Sequence, residues 1–176
     1  MKKITLVILL IFSMSCKNEK QNTEIQDSPK KVEQKDSFVL KINAVVEYDD
    51  KFVLHYLDDG QKNITTENSV TVQVSGSDQP QELRFQIKEE ILPTRLFLSF
   101  GNDERQQKIN FLTTELSYGD ELISIEKEKF IQYFIPNQYV IYDNESITAT
   151  TKIIGDQYKP RFDSRELLID RIYLKF

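Results

Sequence analysis

The chain has one cysteine, one histidine and no tryptophan in 176 residues, and each shortage removes a class of chemistry. With Cys16 alone there is no intramolecular disulfide, so the fold must hold by burial. With His55 as the sole histidine, no zinc site of the usual histidine and cysteine kinds can be assembled, and a serine triad would have to be built around that one residue. The five glycines are isolated from one another, which excludes a glycine-rich phosphate loop or a dinucleotide fingerprint. No apolar run approaches the roughly 20 residues that a spanning helix needs. Bases are outnumbered as well: 23 lysines and arginines against 28 acids give a net charge of −5, which disfavours a nucleic-acid partner.

What is present begins at the N-terminus. Lys2 and Lys3 precede the apolar run Ile4 to Phe12, which has the length of a signal-peptide core, and Ser13-Met14-Ser15 leads into Cys16. This pattern predicts a lipoprotein signal peptide over residues 1–15, with Cys16 as the lipidated first residue of the mature chain. Loss of Lys2 and Lys3 takes the charge from −5 to −7. The multiple acyl chains of a lipoprotein cysteine anchor stably, so the expected address is the bacterial cell envelope, at the outer membrane in preference to the inner, without a span. Residues 17–37 carry five acids and five bases but only Ile25 and Val32 as large apolar residues. Such a segment buries too little to offset its ordering entropy, and residues 16–37 are predicted as the lipidated cysteine and a disordered tether.

The domain is predicted over residues 38–176, where ten of the eleven phenylalanines and all eight tyrosines lie. A chain of about 140 residues buries close to two thirds of its unfolded surface, enough for a core without staples. Phe38, Leu40, Ile42, Ala44 and Val46 alternate with mostly polar neighbours, the period of a half-buried strand. Tyr48-Asp49-Asp50-Lys51 reads as a turn into Phe52, Leu54 and Tyr56, which predicts a hairpin ending at Asp58-Asp59-Gly60. Further strands are expected at Val70 to Val74, Leu83 to Ile87, Leu96 to Phe100, Ile109 to Leu116, Leu122 to Ile125, Tyr139 to Tyr142 and Ser146 to Ile153. Glu126 to Ile135 reads as a short helical turn or loop. Asp163-Ser164-Arg165-Glu166 reads as the cap of a brief helical turn before a terminal strand in which Leu168, Ile172, Leu174 and Phe176 share a parity. Short strands separated by glycine turns describe an all-β fold, an antiparallel β-sandwich of jelly-roll-like kind.

Candidate site residues are few. Tyr118, Tyr139, Tyr142 and Tyr158 fall at or near predicted loops, with Arg95 and Asn102 at another turn, and together they form the candidate ligand-binding set. Tyrosine rings and planar polar groups suit the apolar faces and hydroxyls of sugars. Asp49, Asp50, Asp58 and Asp59 are weak candidates for a calcium ion, since ordinary turn chemistry accounts for aspartates at these places. No other cofactor is indicated, and no catalytic residue stands out. His55 reads as an exposed or hydrogen-bonded strand histidine.

Three stretches, Asp49 to Tyr56, Val74 to Gln81 and Pro93 to Asn102, continued by Gln107-Lys108-Ile109 and Tyr133 to Asn137, resemble β-sandwich modules of Bacteroidota-type envelope lipoproteins, which are carbohydrate-binding-module-like. The resemblance implies the fold and a connection to surface polysaccharide. The expected function is therefore a lipid-anchored, non-catalytic envelope protein that binds a glycan or another envelope component. The alternative is a protein-interaction or structural subunit of an envelope complex, and a small glycan-acting hydrolase stands third.

Overall fold

The computed structural model describes residues 36–101 and 107–176. The signal peptide, Cys16, Asn102 and all but the last two residues of the expected tether lie outside them. Two antiparallel sheets pack face to face, as the alternating strands predict. The six-stranded sheet runs β4 (Gln81–Glu89), β1 (Ser37–Val46), β6 (Lys108–Tyr118), β10 (Thr148–Thr151), β9 (Val140–Asp143), and β7 (Glu121–Glu126) pairs with the second half of β6. The five-stranded sheet runs β3 (Ser69–Val74), β2 (Asp50–Leu57), β5 (Arg95–Ser99), β11 (Arg161–Ser164), β8 (Phe134–Pro136). Only the links from β2 to β3, β6 to β7 and β9 to β10 stay in one sheet, so the chain winds repeatedly from layer to layer.

Alternation along the strands puts one face of each sheet into the core. Leu40, Ile42, Leu54, Leu96 and Leu98 are buried there. Phenylalanines fill the space between the layers: Phe100 stacks between Phe52 at 5.5 Å and Phe162 at 5.8 Å, Phe111 stacks on Phe130 at 4.2 Å, and Phe162 meets both of these edge-on. Each such pair contributes about 0.5–1.5 kcal/mol beyond area burial. In β6 the inward residues change parity, from Ile109 and Phe111 to Thr114 and Leu116. The register against β1 explains it: Thr113 faces Asn43 and Phe111 faces Ala44, leaving Leu112 as the extra residue of a bulge.

Several expectations need correction. Asp49-Asp50 does not close a hairpin, because β1 and β2 belong to different sheets and the turn is a corner between layers. Alternation fixes which face a residue takes, not which strand lies beside it. The predicted terminal strand is a helix, α2 (Glu166–Lys175), which buries Leu168 and Ile172 and leaves Leu174 88% exposed. A spacing of four satisfies both the strand and the helix period. The strand in this region comes earlier, as β11. The first strand takes in Ser37, which pairs with Glu89 in the sheet, and the Asp36 carbonyl accepts a hydrogen bond from the Glu90 N–H at 2.8 Å. Between β7 and β8 the chain forms a 3-10 turn (Lys127–Lys129) and the short α1 (Phe130–Tyr133), within the Glu126 to Ile135 stretch read as a helical turn or loop.

Candidate functional site

The outer face of the six-stranded sheet carries a groove of about 600 Å³. Its floor is a row of outward residues in register, Val45, Asn110 and Thr148. Because β4 begins at Gln81, opposite Ala44, the end of β1 has no β4 neighbour, and the turn after β3 forms the wall instead. Gly76 makes this close approach possible: a Cβ there would lie 2.7 Å from the Glu47 carbonyl oxygen and 2.8 Å from the Tyr48 Cα. The turn is latched by the Gly76 N–H donating to Asp49 Oδ1 at 2.7 Å and the Ser77 N–H donating to the Val46 carbonyl at 2.8 Å. Glu47, Asp78, Lys108 and Ser146 line the rest. Ser146 donates its hydroxyl to the neighbouring Asp143 at 2.7 Å, which together with the Glu145 N–H holds the Asp143 carboxyl below its ordinary range.

The outer face of the five-stranded sheet is built differently. One row across it reads Ser69, His55, Phe97, Asp163, Ile135. Phe97 is only 8% exposed because two guanidinium groups lie over its ring, Arg161 at 5.0 Å and Arg95 at 5.7 Å. Arg161 is held in place by two bonds to Asp163, at 2.5 and 3.0 Å. Beside them the His55 Nδ1 is enclosed without a hydrogen-bond partner; burial, and secondarily the charge of Arg161, lowers the imidazole's pKa.

Next to this row is a cleft of about 330 Å³, lined by Lys51, Tyr158, Lys159 and Arg161 above Gly101 and Pro160. Gly101 has φ +76°, and a Cβ there would lie 2.6 Å from the Tyr158 hydroxyl and 2.7 Å from Pro160 Cγ. Its N–H donates to Asp50 Oδ2 at 2.8 Å. The same carboxylate accepts from the buried Gln107 side chain at 3.1 Å, and its other oxygen accepts the Lys51 N–H at 2.7 Å.

The candidate residues thus separate. Asp49 and Asp50 diverge, each holding the glycine of a different pocket, and Asp58 accepts the N–H of Asp59 at 2.7 Å. Among the described residues no group of three potential ligands is arranged to hold a metal ion. The four tyrosines do not converge. Tyr118 packs on Phe176 at 6.2 Å, and Tyr139 is buried and donates its hydroxyl to Gln157 at 2.9 Å. Tyr142 faces Phe130 and Phe162, with its enclosed hydroxyl unpartnered and its pKa pushed up to about 12 by burial, with a smaller push from Glu128. Tyr158 lines the cleft above Gly101, donating its hydroxyl to Thr151 at 2.7 Å, and Arg95 lies on the same sheet face. Sequence reasoning missed Asn110, Thr148, Lys51 and Arg161. Their only signal was an outward parity on their strands.

The fold defines the class, an all-β sandwich of two antiparallel sheets. No known protein family, curated protein or solved structure matches the chain, so function is read from its own geometry.

Proposed function

We propose that the chain is a lipid-anchored, non-catalytic protein of the bacterial outer membrane that binds a glycan in the groove of the six-stranded sheet. The observation that carries this reading is the groove's lining. The Asn110 amide, the Thr148 and Ser146 hydroxyls, two carboxylates and the Lys108 ammonium offer mixed donors and acceptors over an apolar Val45 floor, the pairing that sugar hydroxyls and ring faces require. The signal pattern ending at Cys16 and the resemblance to Bacteroidota-type envelope modules supply the location.

The test applies the full chain, in non-ionic detergent, to an array of bacterial envelope and host glycans, with calcium and then with chelator. Saturable binding that falls about tenfold in the Asn110→Ala/Thr148→Val variant is the expected result. Loss of binding with chelator makes the aspartate turns calcium ligands, and shortened saccharides in the eluate overturn the non-catalytic assignment. A folded chain that binds nothing on the array moves the reading to a protein partner. The surface for it is α2, whose Leu167 and Leu174 are 52% and 88% exposed.

A further inference from the structure

We propose that the cleft on the opposite face is a second binding site, one that takes the oxyanion of an acidic saccharide unit, a carboxylate or a phosphate. In a chain of net charge −5, Lys51, Lys159 and Arg161 line one small cleft, and Arg95 shares with Arg161 the Phe97 ring on the same sheet face. Asp163 pairs with Arg161 and offsets its charge, and Asp50 lies buried beneath the cleft, accepting from the Gly101, Gln107 and Lys51 N–H groups, so among the described residues the two lysines carry the cleft's excess positive charge. Among the described residues neither Lys51 nor Lys159 forms an ion pair. A concave, cation-lined site on a low-dielectric wall concentrates its field on an entering anion.

The cleft is also a built shape. The Gly101 floor presses against Tyr158 and Pro160, closely enough that no side chain fits between. The Tyr158 ring, Phe100 and Pro160 give it an apolar side, and Ser99 with the cations gives it a polar one. An apolar wall opposite fixed positive charge matches a sugar ring bearing an acidic substituent, whereas a bare inorganic ion would use only half of it. Arg161 is pre-positioned by Asp163 and by the Phe97 ring, so little entropy is lost when it engages an oxyanion.

This inference does not rest on the groove, and its test separates the two. The full chain is titrated by calorimetry with trigalacturonate, glucose 6-phosphate and inorganic phosphate, and with neutral maltotriose as the control. The expected result is saturable binding of at least one charged saccharide that weakens with added salt and falls at least about tenfold in Lys51→Gln/Lys159→Gln. The groove variant Asn110→Ala/Thr148→Val should bind it unchanged. Trigalacturonate alone assigns a carboxylated glycan, and glucose 6-phosphate alone a phosphorylated one. Failure of every charged probe, binding of inorganic phosphate as tight as either saccharide, equal binding of maltotriose, or full affinity in the double lysine variant overturns the proposal. Both lysine side chains are at the surface, and an unchanged melting curve confirms that the variant is folded.

Discussion

On the six-stranded sheet the groove wall is held by Asp49, which accepts the Gly76 N–H, and on the five-stranded sheet the cleft floor is held by the next residue, Asp50, which accepts the Gly101 N–H. In both places an aspartate at the corner between layers fixes a glycine pressed against its neighbours. The anchors differ in setting. Asp49 is exposed, whereas Asp50 is 8% exposed and shares its carboxylate with buried Gln107. The linings differ too, acids mixed with one lysine in the groove against lysines and arginine in the cleft. A single corner therefore supports two surfaces of unlike chemistry. They should fail separately when their own supports are removed.

The largest effects belong to the glycines. Gly76→Ala drives a Cβ into backbone atoms, and Gly101→Ala adds a left-handed φ to its clash, so each should cost about 3 kcal/mol in chemical denaturation. The affinity lost should be that of the adjoining pocket alone; loss at both sites would mean the pockets are coupled through the corner. Next come the aspartates. Asp50→Ala should cost about 2–3 kcal/mol, because it leaves the Gly101 N–H and the Gln107 amide without their charged acceptor in a buried place, while Asp49→Ala should cost under about 1 kcal/mol. Equal costs would show that burial does not distinguish the two anchors.

The smallest effect is in pH. The folded imidazole of His55 has a pKa below the ordinary histidine value of 6.5, so its neutral form contributes stability above that pH, and the contribution is lost as pH falls through the folded value. His55→Gln should flatten the fall in denaturation midpoint in this window. Asp143, on the groove side, has a folded pKa below 3.8, so its small contribution persists until the pH drops further. Its variant Asp143→Asn should therefore leave the His55 window untouched.

The strands were legible because alternation is local. β1, β2, β4 and most of β6 follow from period-two burial, and the bulge at Leu112 left that reading intact only because both halves of β6 are apolar inward. The length of the C-terminal helix was not legible beyond a brief turn at its start, because Leu168 and Ile172 fit two periods and the deciding fact, the exposure of Leu174, belongs to tertiary structure. β11, with four residues and one large apolar side chain, is too short to announce itself. The pockets were hardest to see, since Val45, Asn110 and Thr148 meet only through strand register and Lys51 joins Arg161 only across β5. Tyrosine was a misleading signal here. Tyr139 and Tyr142 spend their rings on packing, and the outward face recruits arginine and lysine instead.

The chain enters the domain through β1, which is bonded along both edges, to β4 on one side and β6 on the other. Traction on the polypeptide upstream of Ser37 therefore acts on a strand held by two ladders of hydrogen bonds. An edge strand would peel open one bond at a time. Force applied at this end is shared between both ladders of β1.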